Sequence, residues 1–271
     1  MPRLRRAPIP GTMVAMTVFR DDVLAGKRAF VTGGTSGINL AIAERFIEAG
    51  AEVTVLGRDP AKAARAADGL GPRARAVTAD VRDYEALAPV IAAAGPIDVL
   101  VCGAAGNFPA PALGMSANGF KAVVDIDLLG TYHTCRAAFA HLRKPGASVI
   151  AISATQALAP ALLQAHVCAA KAGIEMQIRV LAMEWGGAGV RVNSLVPGPI
   201  ADTIGMAKLA PDEAARAKIE RAMPLGRWGT KREIAEIALF LASPAAALMT
   251  GSTLVADGGQ VLGGFGALAL G

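Results

Sequence analysis

The chain has 271 residues, of which 53% are hydrophobic and 18% charged; that composition supplies one large buried core and excludes a disordered chain. Aromatic residues make up only 4%, too few for stacking along single-stranded nucleic acid. Apart from Arg3, Arg5 and Arg6, the Lys and Arg behind the net charge of +5 are scattered, so no nucleic acid partner is expected.

Residues 1–22 read as a flexible leader, Pro-broken and Arg-bearing, faintly like a transit peptide or an over-long start with Met13 or Met16 as the true initiator. A short apolar strand follows over 28–32, then a Gly-rich turn over 33–37. Ala41, Ile42, Phe46 and Ile47 recur at helical spacing up to Gly50. The pattern continues with a strand over 52–56, an Ala-rich helix over 60–70, a strand over 74–78, a helix over 83–94 and a strand over 97–102. One long helical segment is expected over 116–142, a strand over 147–152 and a long apolar helix over 162–185, ended by Gly186 and Gly187. Strands over 190–195 and 253–256 flank a helix over 231–241.

Seven strands alternating with helices predict an α/β fold: a Rossmann-like doubly wound parallel sheet, covered on both faces, in a single domain over 23–271. The polar, Ala-rich stretch 200–223 breaks the rhythm, and beyond the carboxyl ends of the strands it is expected to cover a ligand crevice. No run of about 18 apolar residues exists, so no membrane span is expected. Three cysteines (Cys102, Cys135, Cys168) and three histidines (His133, His141, His166) show no disulfide framework and no metal-ligand spacing, so no metal is expected.

Gly33, Gly34 and Gly37 lie where the first strand meets the first helix. Glycines there let backbone amides approach a pyrophosphate, the helix N-terminus adds its dipole, and Thr35 and Ser36 offer hydroxyls. The bland alternative is a tight turn. The second strand ends Leu56-Gly57-Arg58. An acid at that point would hold a ribose 2′-hydroxyl, whereas Arg58 suits a 2′-phosphate, so NADPH is the expected cofactor. Asp59 opposes that preference, and a solvated Arg58 is the alternative.

The run Thr32-Gly33-x-x-x-Gly37-Ile38 resembles the short-chain dehydrogenase/reductase family. So do Asp80-Val81, Cys102 to Gly106, Pro197-Gly198-Pro199-Ile200 and Asp257-Gly258-Gly259; together the matches span 23–262. The resemblance implies cofactor contacts at Gly33, Thr35, Ser36, Gly37, Ile38, Arg58, Asp80, Val81, Ala104, Lys171, Pro197, Gly198, Ile200 and Thr203. Asn39 stands where the family has a third glycine, and its bulk is expected to push the helix from the strand.

The family's usual catalytic set is Asn, Ser, Tyr and Lys. Ser153 and Lys171 match it, but Val167 occupies the tyrosine's place and Asp127 the asparagine's. Tyr84 and Tyr132 lie on other segments. This combination resembles the 2,4-dienoyl-CoA reductases, the peroxisomal type in particular, through Ala104-Ala105-Gly106-Asn107-Phe108, Asp125-Ile126-Asp127, Gln164-Ala165-His166 and Glu184-Trp185-Gly186. Arg191 to Leu195 and Leu254 to Gly259 extend the match.

That branch also lacks the tyrosine, and the chemistry of conjugate reduction explains why. Hydride adds at the far end of the diene, charge moves to the thioester oxygen, and the proton lands on carbon, so the oxygen needs hydrogen-bond donors rather than a permanent proton. The resemblance implies that Lys171 binds the nicotinamide ribose and supplies positive charge. Asp127 holds or relays a proton through water. Asn107 and Ser153 contact the thioester or the cofactor, and Phe108 lines the substrate. Asp125 is structural, and His166 is packed or functional with equal weight.

The expected activity is therefore reduction of a dienoyl- or enoyl-thioester, CoA-linked in the family. Two alternatives stand beside it: a reductase of another activated alkene or carbonyl with water as the acid, and an inactive cofactor-binding protein in which Val167 and Asn39 mark decay. Excess apolar residues on the 116–142 and 162–185 helices, together with the family's habit, imply a homotetramer. The end Ala269-Leu270-Gly271 is not a peroxisomal address, and a cytoplasmic location is expected.

Overall fold

The computed structural model describes residues 19–263 apart from Pro211; most of the expected leader thus lies outside the described residues. Seven parallel strands form one sheet, β1 (Arg28–Thr32), β2 (Glu52–Gly57), β3 (Ala74–Thr78), β4 (Val99–Cys102), β5 (Ser148–Ile152), β6 (Arg191–Pro197) and β7 (Thr253–Ala256), in the order β3-β2-β1-β4-β5-β6-β7. The order reverses between β1 and β4, the point at which open α/β sheets leave a crevice beyond their strand ends. The doubly wound Rossmann-like fold expected from the alternation is the one observed.

On one face, helices α1 (Gly37–Glu48) and α9 (Lys231–Ala242) bury Ile42, Phe46, Ala238 and Leu239 against Val31, Val55 and Ile150. On the other, α3 (Tyr84–Ala93), α5 (Gly130–Ala138) and α6 (Ala165–Trp185) bury Leu87, Ile91, Cys135, Ile174 and Ile178 against Phe30, Leu100 and Val149. Both faces being covered explains why the central strands read as unbroken apolar runs. Phe19, inside the expected leader, packs against the first of these cores.

Local chemistry sets the helix starts. Asp59 caps α2 (Pro60–Leu70) by accepting from the Lys62 amide at 3.0 Å, and Pro60 occupies the first turn. Asp83 caps α3, and Thr230 with Glu233 forms a capping box on α9.

Three expectations change in detail. The helical segment 116–142 is one unbroken helical run but not α-helical throughout: α4 (Ala117–Val124) passes through a π-helical turn, Asp125–Leu129, into α5. Helix α6 begins at Ala165 rather than 162, because Leu163 takes a positive φ of 65° and leaves the helical region. The stretch 200–223 contains α7 (Ile204–Leu209) and α8 (Glu213–Ala222), both N-capped by side chains, Thr203 and Asp212. Among the described residues no helix is long and apolar enough to cross a membrane, and no group of three His, Cys, Asp or Glu is placed to hold a metal.

Candidate active site

The carboxyl ends of β1, β2, β4, β5 and β6 open into a crevice of about 590 Å³. Its floor is the turn after β1. Gly33 has φ 68° and Gly37 φ 63°, and a Cβ on Gly33 would lie 2.9 Å from the Ala104 backbone, so this turn tolerates no side chain where it meets the β4 loop. Ser36 stands at the N-cap of α1 yet its side chain does not cap it, and the first turn holds no acid. An anion would meet an uncapped helix N-terminus with its partial positive charge.

At the β2 end, Arg58 is well exposed and reaches Asp80 only at 3.9 Å, whereas Arg82 pairs with the same carboxylate at 2.6 Å. The Arg82 hydrogen bond holds the Asp80 carboxyl below the usual carboxylate range. Asp80 is thus already matched. Lys62, which sequence reasoning missed, donates to Ser36 Oγ at 2.9 Å and lines the crevice beside Arg58. Its position on the first turn of α2, three residues past the Asp59 cap, was the available sign. Thr35, Ile38, Val81 and Ala104 line the same half.

The other half holds the ionisable groups. Asp127 and Lys171 are both buried, with carboxylate Oδ2 and Nζ 3.2 Å apart. Their contact is a charge pair rather than an aligned hydrogen bond, since Oδ2 has no hydrogen-bond partner. Asp127 Oδ1 accepts from the Gly106 amide at 2.7 Å, and Lys171 Nζ donates to the Ile152 carbonyl at 3.1 Å. The π-helical turn carries Asp127, a geometry frequent at functional sites. Asp125, two residues away, pairs instead with Lys121 on the outside.

Val167 packs against Val123 and Ala170 and borders the crevice. Ser153 Oγ is buried and unpartnered there, a hydroxyl with no protein group to bond. Pro197, Gly198, Ile200 and Thr203 line the opposite wall, with Met206 and Ile219 from the two helices of the covering stretch. Asn107 lines the crevice; Phe108 does not, its ring lying 4.6 Å from that of His166. Sequence reasoning also missed Gln156, which lines the crevice, and gave no role to Gln164, buried beside it.

The uncapped α1 N-terminus, the glycine turn and the idle Ser153 hydroxyl fit a dinucleotide. Comparison with known proteins agrees. Residues 33–260 match the family model described as "Enoyl-(Acyl carrier protein) reductase". The chain belongs to the short-chain dehydrogenase/reductase family. It is similar to "Peroxisomal 2,4-dienoyl-CoA reductase [(3E)-enoyl-CoA-producing]" of Danio rerio, 40% identical over 90% of this chain and 85% of that protein. The protein of the same name from Arabidopsis thaliana is 41% identical over 89% of this chain and 86% of its own length. Among solved structures, a "short chain dehydrogenase/reductase family protein" is 37% identical, covering 88% of this chain and 99% of that one with a TM-score of 0.78. As a short-chain dehydrogenase/reductase the chain is an oxidoreductase whose fold implies a nicotinamide cofactor.

Proposed function

We propose that this chain reduces 2,4-dienoyl thioesters of CoA at the expense of NADPH. The observation that carries the reading is the buried Asp127–Lys171 pair beside Val167: a charged couple with no phenol between it and the crevice. A carbonyl reductase must protonate the oxygen it reduces. A conjugate reductase needs only to hold negative charge on the thioester oxygen while the proton goes to carbon. The names carried by the Danio rerio and Arabidopsis thaliana relatives support the same substrate class.

The glycine turn, Thr35 and Ser36 would hold NADPH in this crevice, and the bound cofactor would supply the hydride that C5 of the dienoyl chain needs. Lys171, anchored on Ile152 O, binds the cofactor's ribose and sets a positive charge beside the reacting atoms. Asp127, oriented by the Gly106 amide, relays a proton toward Cα, where it forms the new C–H bond. Ser153 and Asn107 provide polar contacts at the thioester or the cofactor. Arg58 and Lys62 hold the 2′-phosphate.

Two further parts of the reading concern the whole molecule. The outer faces of α5 and α6 expose Tyr132, Met176, Val180 and Met183, which supports a closed homo-oligomer, a tetramer as in the family. Three free cysteines support a reducing compartment, the cytoplasm.

The test is NADPH oxidation across 2,4-dienoyl-CoA, 2-enoyl-CoA and 3-ketoacyl thioesters. Turnover of the dienoyl-CoA above the others supports the reading; turnover of the ketoacyl thioester alone overturns it.

A further inference from the structure

Gln164 is 3% exposed, one residue before α6, and a single oxygen of it serves two neighbours. Its Oε1 accepts from Gln156 Nε2 at 3.0 Å and from Asn107 Nδ2 at 3.4 Å, while its own Nε2 is buried without a partner. Asn107 and Gln156 come from different loops, after β4 and after β5, and both line the crevice that holds Ser153 and Lys171.

The loop carrying Asn107 is tied to the start of α6 at two further points: the Ala110 amide donates to Leu163 O at 2.9 Å, and the Phe108 ring packs at a tilt against the buried His166. Leu163 holds its positive φ directly before Gln164, a conformation that costs about 1–3 kcal/mol and persists only where the surroundings enforce it.

A primary amide nitrogen carries two N–H groups. Each of these two amides gives one to Gln164 and keeps one. We infer that Gln156 is a second specificity-determining donor, acting with Asn107 on the thioester oxygen, and that Gln164 is the positioning residue that turns both amides. The inference rests on the acyl-CoA reading and deepens it. As hydride adds to the diene, the electron pair moves along the chain to that oxygen. It collects there until the proton reaches Cα, so two fixed neutral N–H donors stabilise the developing charge without protonating it.

The geometry separates Gln164 from an ordinary packing residue. Only its oxygen is used, so Gln164→Glu keeps the acceptor and Gln164→Met removes it. The experiment measures binding, by calorimetry with NADP present, of a saturated acyl-CoA thioester and of the S-alkyl-CoA thioether of equal length, which lacks the carbonyl oxygen. The intact protein should prefer the thioester. Gln156→Leu should lower thioester affinity about three- to tenfold, the range of one neutral hydrogen bond, and leave the thioether unchanged. Gln164→Met should have the same signature with an unchanged thermal midpoint, and Gln164→Glu should restore the preference.

Where dienoyl-CoA is turned over, Gln156→Leu should reduce kcat about 10²-fold with the KM for NADPH unmoved. A thioester-to-thioether ratio unaltered in Gln156→Leu overturns the inference while leaving the acyl-CoA reading intact. Failure of both ligands to bind the intact protein overturns that reading, and this inference with it.

Discussion

Asn39 and Gly103 occupy one side chain's worth of space between them. Asn39 Nδ2 donates to Gly103 O at 2.7 Å, and a Cβ on Gly103 would stand 2.3 Å from Asn39 Oδ1. Asn39 replaces the glycine its family uses where α1 passes the sheet, and its bulk was expected to push the helix from the strand. Volume for Asn39 is available at Gly103, on the loop after β4, which has no side chain to oppose it.

The pair makes a test. Gly103→Ala should force Asn39 to swing off its hydrogen bond, lowering thermal stability and weakening cofactor binding. Asn39→Gly should lose only the hydrogen bond and some packing. In the double variant the added methyl meets no amide, so the two changes should be non-additive by about 0.5–3 kcal/mol. Denaturation of the four proteins measures the coupling, and simple additivity would sink it.

The apolar strands and the glycine turn were legible because their causes are local: continuous apolar runs set between helices of period 3.6, and backbone angles that favour glycine. Asp127 and Lys171 were legible as residues but not as a pair, since the π-helical turn that aims Asp127 inward has no sign in the composition of Asp125–Leu129. Gln164 was legible only as part of a resemblance. Its role as a common acceptor depends on two loops meeting, which is a matter of tertiary packing. The Asn39–Gly103 exchange was hidden for the same reason: the residues are 64 positions apart.

Cofactor choice should follow the charges at the β2 end. NADPH should bind more tightly than NADH, and Arg58→Ala should shrink that preference about tenfold, the lower part of the range for a hydrogen bond to a charged group, because Arg58 is exposed. Lys62→Ala should act in the same direction. Added salt should erode the preference. Fluorescence titration of both cofactors decides, and equal affinity for NADH in the intact protein contradicts the assignment.

The thiols should differ in reactivity. Cys102 and Cys135 are buried with sulfurs 3.6 Å apart, and the Cys135 contact together with burial pushes the Cys102 thiol well above its usual range. A thiol so raised stays protonated, and so unreactive, as pH climbs through the ordinary cysteine range. Cys168 is only partly buried. Alkylation followed by peptide mass spectrometry should therefore label Cys168 first, with Cys102 protected until the protein unfolds. Early labelling of Cys102 would contradict the burial.

Assembly should depend on α6. Met176 and Met183 are 58% and 86% exposed on its outer face, an apolar surface that a second copy would cover. The protein should sediment as a closed oligomer at micromolar concentration. Met183→Lys with Met176→Lys should shift it toward smaller species. A monomer in the unaltered protein would remove the case for a tetramer.

The missing tyrosine supplies the last prediction. Lys171→Ala should abolish thioester reduction, since it removes the charge held at Ile152 O and leaves Asp127 buried without a counter-ion. Asp127→Ala should slow turnover roughly 10²- to 10⁴-fold, the span of a lost proton relay. It also leaves Lys171 without its counter-ion, so lost stability adds to the effect. Asp127→Asn also removes the charge facing Lys171 but keeps an acceptor for the Gly106 amide, so it should lose less stability than Asp127→Ala while being nearly as slow, and thermal midpoints measured beside the rates separate the two effects. Val167→Tyr should not improve dienoyl-CoA reduction. The position is buried against Val123 and Ala170, so a phenol must either overfill that packing at about 1–3 kcal/mol or project into the crevice. A decayed enzyme would show no turnover in any of these proteins. A disguised carbonyl reductase would gain ketone activity from Val167→Tyr while its parent ignored dienoyl-CoA, and that pair of results would overturn the conjugate-reduction reading.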